Sequence, residues 1–454
     1  MNHMNRILRW MDPGRLAWAA LLSGLLFSTG AWAALPIQHW THSSGAQVYL
    51  VESPVIPMLD LQVQFDGGSR RDPETQAGLA SVTAGMLSAG VAASDGQPAL
   101  DENQLSEAWV DLGAQFGAGA GADRFTLALR TLTQPDLLDG AVALAARQMA
   151  APAWPESVWQ RDRERMLASL KEAETRPGTQ AGRAFAQAVY QDHPYGRETT
   201  PESLRAIGGA DMQAFYRRHA SACRAQVILV GAVDRARADR IVGALMAAWA
   251  SHGCEPLPDV AQVKPLTQAV EMRVPFDAAQ AQVLVGQPGM RRDDPDHFAA
   301  FVGNYILGGG GFVSRLTTEV REKRGLSYSV ASYFSPGKHA GAFQIGLTTR
   351  PDQANQAIGV VRDVVRDFVA HGPTEAELAA AKVYLANSFA LRIDSNRKLL
   401  GSVANMAWHG LPLDYLDTWV AHVQAVSLDD IKRTFQRVLQ PDRMVTVVVG
   451  GQHD

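Results

Sequence analysis

The side chains able to do chemistry are few and widely spaced in this chain of 454 residues. Cys223 and Cys254 are the only cysteines, and neither sits in a Cys-x-x-Cys or other metal-spaced cluster. In an oxidising compartment they could pair, although a chain of this length does not need a staple to hold a core. His39 and His42 stand three apart beside a strand pattern and read as surface residues, and no other histidines combine helical ligand spacing with nearby acids. A catalytic zinc needs three protein ligands and an open position for water, so a zinc site in this chain is not expected. The stretch Gly325, Leu326, Ser327, Tyr328, Ser329 lacks the second glycine of a nucleophile elbow. The run Gly308, Gly309, Gly310, Gly311 is followed by no Lys-Ser/Thr pair and is not spaced G-x-G-x-x-G, which excludes a phosphate loop. Four glycines permit either close backbone approach in a mobile loop or a tight corner between elements. Residues 117–122, alternating Gly and Ala, read as a flexible hinge leading into a strand.

The elements that must position these residues belong to an exported protein of ordinary globular composition. The net charge is -4, with 46% hydrophobic and 19% charged residues. That balance leaves no basic face to neutralise nucleic-acid phosphates. Arg6, Arg9 and Arg15 precede an apolar run over residues 16–34 that closes on Ala31, Trp32, Ala33, Ala34. A basic n-region, an apolar core and an A-x-A site predict a cleavable secretory signal over residues 1–33. No later stretch is long and apolar enough to span a bilayer, so the mature chain is expected without a membrane span, in a bacterial periplasm.

The remainder reads as two similar halves, residues 34–259 and 268–454, joined by a linker at 260–267 that follows the Pro-rich stretch Pro256, Leu257, Pro258. The first half opens on strands over residues 47–51 and 59–65 and closes on one over 225–231. The second opens on a strand over 282–286 and closes on one over 444–450. A helix signal precedes each closing strand; in the second half Ser427 and Asp430 have capping-box spacing, as do Thr374 and Glu377 further upstream. Strands followed by runs of helices predict an α+β fold: two homologous domains, each a mostly antiparallel sheet with helices on one face, facing each other across a cleft.

The segment Phe65, Asp66, Gly67, Gly68, Ser69, Arg70, Arg71, Asp72 with Gly78, Leu79, Ala80 resembles the opening of the pitrilysin and mitochondrial-processing-peptidase family. So do His193, Pro194, Tyr195, Gly196 and the Gly-rich stretch from Leu307 to Leu316. The resemblance runs in order along the whole expected mature chain. In that family the next helix carries the inverted zinc motif His-x-x-Glu-His, whereas the matching positions here read Ser81, Val82, Thr83, Ala84, Gly85. The third ligand, a Glu in the family, should fall at Asp162 or Glu164. The resemblance therefore implies no metal or cofactor in this chain, with zinc expected in a homologous partner subunit. It also implies that Arg321 and Tyr328, seven apart, contact substrate, and that the glycine-rich stretch admits a peptide. Taken alone, the pair reads as a helix-surface cation and a core or edge-strand aromatic. The function implied is the zinc-free subunit of a two-chain periplasmic zinc endopeptidase, inactive alone, with Arg321 and Tyr328 polarising the scissile carbonyl. The alternative is a structural or peptide-binding homologue with no part in proteolysis.

Overall fold

A computed structural model describes residues 36–94, 96–249 and 253–450. The expected signal, residues 1–33, lies outside the described residues, among which no helix is long and apolar enough to cross a membrane.

The first half builds a six-stranded sheet from β1 (Gln38–Thr41), β2 (Gln47–Glu52), β3 (Met58–Asp66), β6 (Gln115–Ala120), β7 (Arg124–Leu132) and β8 (Gln226–Gly231), in the order β1-β2-β8-β3-β7-β6. Short strands β4 (Gly90–Val91) and β5 (Leu100–Asp101) pair separately. The second half builds a five-stranded sheet from β9 (Val270–Val274), β10 (Ala281–Pro288), β11 (Val330–Phe334), β12 (Ala342–Thr349) and β13 (Val445–Val449), in the order β11-β12-β10-β13-β9. Aligned as β2-β8-β3-β7-β6 and β9-β13-β10-β12-β11, the sheets share one topology. In each, the opening strand runs parallel to the closing strand, and the other pairings are antiparallel. The architecture is α+β and duplicated, as the sequence predicts. Residues 253–269 carry no regular structure and contain the expected linker. Cys223, just before β8, and Cys254, at the start of that irregular segment, pair as a disulfide with Cα atoms 6.0 Å apart.

The closing strands are apolar at nearly every position, Gln226 and Thr446 excepted, because both of their faces are covered. Side chains alternate between the faces of a strand. Val227 and Leu229 of β8 enter the core beneath the first half's own helices, while Ile228 and Val230 face the other way. The opposite face is filled by the helix Asn396–His409, which belongs by sequence to the second half: Leu399, Leu400, Val403 and Ala407 pack on Val51, Ile228 and Val230. The second sheet repeats the arrangement. Val445, Val447 and Val449 of β13 meet Ala181, Phe185 and Val189 from the helix Pro177–Tyr190 of the first half. Gly286 on β10 makes room for that helix, since a Cβ there would press on the Phe185 ring. Each half therefore lends one helix to the other's sheet, and the two halves hold together as one unit.

Phe185 is 3% exposed at the centre of this exchange. Phe185→Ala is expected to lower stability by roughly 3–5 kcal/mol through lost burial and the cavity left behind, read as a shift of the urea midpoint. An unchanged midpoint would show that the exchanged helix contributes little.

Candidate functional site

The helix Leu79–Met86 presents the positions at which the resemblance places the zinc motif. Its start is fixed by Gly78, whose φ of +102° only glycine adopts easily, and by the Asp72 carboxylate. That carboxylate accepts from the Gly78 and Ala80 amides at 2.8 and 2.9 Å. Burial pushes the Asp72 carboxyl up to about 6 against these hydrogen bonds. Leu79, Ala80, Val82, Thr83 and Ala84 are buried, whereas Ser81 and Gly85, one turn apart, face outward. A Cβ built at Gly85 meets no atom within 4 Å, so the room for an imidazole remains although the imidazole does not. On the helix Glu156–Ala173, Asp162 is held by Arg161 at 3.0 Å and Arg165 at 2.9 Å, and Arg161 reaches Glu102 at 2.9 Å. The remaining carboxylate is thus neutralised by guanidiniums, and Glu164 is exposed. Among the described residues no group of three or more His, Cys, Asp or Glu could hold a metal ion. A hydroxyl, a methyl and a hydrogen in place of two imidazoles and a carboxylate do not fit a catalytic zinc.

The second half offers a different surface. Residues 305–309 and 317–322 wind as π-helical turns, a rare geometry often found at functional sites. Gly308 and Gly309 close the first turn, and Gly310 and Gly311 follow it. A Cβ at Gly308 would collide with Ser332 of β11 and with Leu316, and Gly311 adopts a φ of +62°. This run is a packed corner. Immediately after it, Phe312 and Val313 are 66% and 72% exposed. The Arg321 guanidinium carbon lies 4.6 Å from the Phe312 ring centroid. Nearby Glu319 is taken by Lys323 and Arg324, each at 2.6 Å, and Arg321 has no carboxylate partner among the described residues. Tyr328 is 84% exposed, between a buried Ser327 and β11. Ser327 is pinned by hydrogen bonds to the Ser329 and Thr348 carbonyls, both at 2.7 Å, so the backbone holds still while the ring projects. The structure joins the glycine corner to Arg321 through Phe312. No hydrogen bond links Arg321 to Tyr328.

Between the first sheet and the second half lies a cavity of about 560 Å³ lined by Gln62, Arg124 and Thr126 from that sheet and by Pro336, Asn405 and His409 from a loop and a helix of the second half. Its seam is closed by the two other resembling motifs, for which spacing alone gave no role. Arg70 binds Asp66 at 2.6 Å and Asp123 at 2.9 Å, and Arg71 binds Asp66 at 2.7 Å. Tyr195 donates its hydroxyl to Asp123 at 2.6 Å and accepts from the His339 amide, while the Lys338 amide donates to Asp123. Nothing local in the sequence singles out Asp123, because its importance comes from the Tyr195 hydroxyl and the Lys338 amide, which only the fold brings to it. One expectation is corrected here. Residues 117–120 are not a hinge but part of β6, the outer strand of the first sheet.

Residues 206–385 match the family model described as the peptidase M16 inactive domain. A peptidase M16 inactive domain from Pseudomonas fluorescens superposes with a TM-score of 0.86 at 33% identity, covering 92% of this chain and 98% of that one. The chain belongs to the peptidase M16 family, as a member of its inactive-domain type. A protein of Helicobacter pylori called a non-peptidase homolog is 25% identical over 84% of this chain and 86% of its own length. An uncharacterised zinc protease of Streptomyces coelicolor is 29% identical, but the match spans only 62% of that protein. The periplasmic protease PqqL of Escherichia coli shares the fold, with a TM-score of 0.78 at 17% identity over 46% of its length.

Buried imidazoles give this assembly a pH limit. Burial, reinforced by neighbouring cationic groups, holds His193, His219 and His409 down at about 4 and His297 at about 3. Free histidine titrates near ~6.5, so between these values the unfolded chain binds more protons and stability rises with pH. The contribution is complete above ~6.5 and lost as pH falls through about 4. Asp72, raised from 3.8 to about 6, acts in the opposite sense, as do Asp60 and Glu198, which burial also raises, but the four imidazoles are shifted across the wider pH span. Urea midpoints at pH 7, 5.5 and 4.5 should fall in that order; a flat series would contradict the account.

Proposed function

We propose that this protein is the zinc-free subunit of a periplasmic, two-chain zinc endopeptidase and supplies Arg321 and Tyr328 to the scissile carbonyl. The observation that carries this reading is Arg321 itself, a cation stacked on Phe312 with no carboxylate to neutralise it, in a chain whose own metal positions have lost their donors. A surface cation with only a ring for company is free to meet a developing anion. When hydroxide held by a partner's zinc attacks a peptide carbonyl, negative charge grows on the oxygen. A guanidinium and a phenol placed there donate hydrogen bonds that strengthen toward the transition state, worth roughly 2.7–4 kcal/mol for one such donor. The open edge of β6 offers an extended peptide a strand to pair with. Export to the periplasm is inferred from the basic-apolar signal at residues 1–33.

A second reading, a structural or peptide-binding subunit without a part in turnover, has its support in the missing hydrogen bond between Arg321 and Tyr328 and in the Helicobacter relative's description as a non-peptidase homolog. The deciding experiment mixes this chain with a zinc-bearing homologue from the same cell and follows a quenched fluorescent peptide. The chain alone should be silent, the mixture active, and Arg321→Ala should cut turnover of the mixture by roughly 10²–10³. Turnover of an assembled complex that ignores Arg321 selects the second reading, and zinc-dependent turnover by this chain alone overturns both.

A further inference from the structure

The duplication brings out an asymmetry between the two halves. β3 ends in Asp66, Gly67, Gly68, Ser69, Arg70, Arg71, Asp72, and its counterpart β10 leads into Gln287, Pro288, Gly289, Met290, Arg291, Arg292, Asp293. In the first half both arginines are neutralised by Asp66. In the second half the strand pairing sets Pro288 at the place of Asp66, and the neighbouring Gln287 spends its amide on the Val438 carbonyl and the Gln440 amide. The acids that follow are also occupied: Asp293 pairs with Arg291, and Asp294 and Asp296 both pair with Arg437. Arg292 is left with the Tyr415 hydroxyl, at 2.6 Å, and no carboxylate among the described residues, although it is only 8% exposed. A guanidinium buried without a counter-ion is costly.

This guanidinium lines a cavity of about 380 Å³, within the range of small-ligand pockets. The walls are aromatic, with Phe301, Tyr415 and Trp419 among them. A second guanidinium, Arg392, stands at the rim 5.3 Å from the ring centroids of both Phe301 and Trp419, again without a carboxylate partner among the described residues. His297, also in the wall, is kept neutral by burial and by Arg292 itself, so it adds no charge. Pro336 and Asn405 belong both to this pocket and to the cavity between the first sheet and the second half, which makes them neighbours.

We propose that this pocket binds a carboxylate carried on an aromatic or apolar body, with Arg292 and Arg392 holding the carboxylate and the rings holding the body. Two sources share that chemistry: the C-terminal residue of a peptide lying in the cleft, and a free aromatic acid. The planar fork of arginine matches a carboxylate, and offset stacking on aromatic walls selects a flat or apolar companion.

The site needs no zinc-bearing partner, so binding by this chain alone tests it independently of the turnover experiment above. The probe is a fluorescein-labelled hexapeptide of glycine and alanine ending in phenylalanine, compared with its C-terminal amide by fluorescence anisotropy. The free carboxylate should bind at least tenfold tighter, and Arg292→Gln should erase that difference. Arg392→Gln, at an exposed position, should reduce it and keeps the test available if the Arg292 variant does not fold. Displacement of the probe by N-acetylphenylalanine would support the free-acid source; failure to displace with the carboxylate preference intact would support the peptide end. Equal affinity for acid and amide, a preference that survives both substitutions, or equally effective competition by inorganic phosphate would overturn the proposal.

Discussion

The rows of Val and Ile on the inward faces of β8 and β13 cannot be buried by either half alone. Val51, Ile228 and Val230 on one sheet and Val445, Val447 and Val449 on the other are fully buried only because a helix of the opposite half lies across them. Apolar burial contributes roughly 25 cal/mol per Å², so separating the halves would expose two such faces together. This reciprocal cover makes the pair of sheets one structural unit and sets how far apart they stand. The seam of Asp66, Arg70, Arg71, Asp123 and Tyr195 then fixes orientation, since charge-assisted hydrogen bonds are directional where apolar contact is not.

Within that frame the zinc helix and the arginine-bearing turns have followed different courses. The helix Leu79–Met86 keeps its cap, its buried face and the open space at Gly85, so its backbone is still shaped for ligands it no longer has. The opposite half keeps a cation that no acid quenches. A scaffold retained without its donors argues that the fold is serving something besides metal binding. Packing and capping constrain the inner face of this helix, whereas Ser81 and Gly85 point outward and can change at little structural cost.

The two π-helical turns and the glycine corner act as one device. Gly308 lets the chain pass against β11, Gly311 turns it, and Phe312 emerges to support Arg321 from below. Ring and guanidinium attract at this separation, so a long flexible cation is given a preferred direction without a salt bridge that would cancel its charge. The same economy of counter-ions recurs at Arg292, where the second half has no acid at the place of Asp66.

The sequence by itself determined the α+β class, the duplication, the closing strands, the capping boxes at Thr374 and Ser427, and the loss of zinc donors. Each of these is a matter of local pattern: alternation, helix-start chemistry, or the presence or absence of a ligand type at a position. What only the tertiary structure decided is how distant segments complete each other. The helices Pro177–Tyr190 and Asn396–His409 look like ordinary amphipathic helices of their own halves, and nothing local says which sheet they will cover. The Gly-Ala alternation of residues 117–120 carries too little side chain to announce an edge strand, so pairing with β7 makes it one. Asp123 matters, and Arg292 is left unneutralised, because of which groups arrive beside them from hundreds of residues away. A carboxylate or guanidinium has the same sequence signature whether it is paired or free, and its counter-ion is chosen only when the chain has folded.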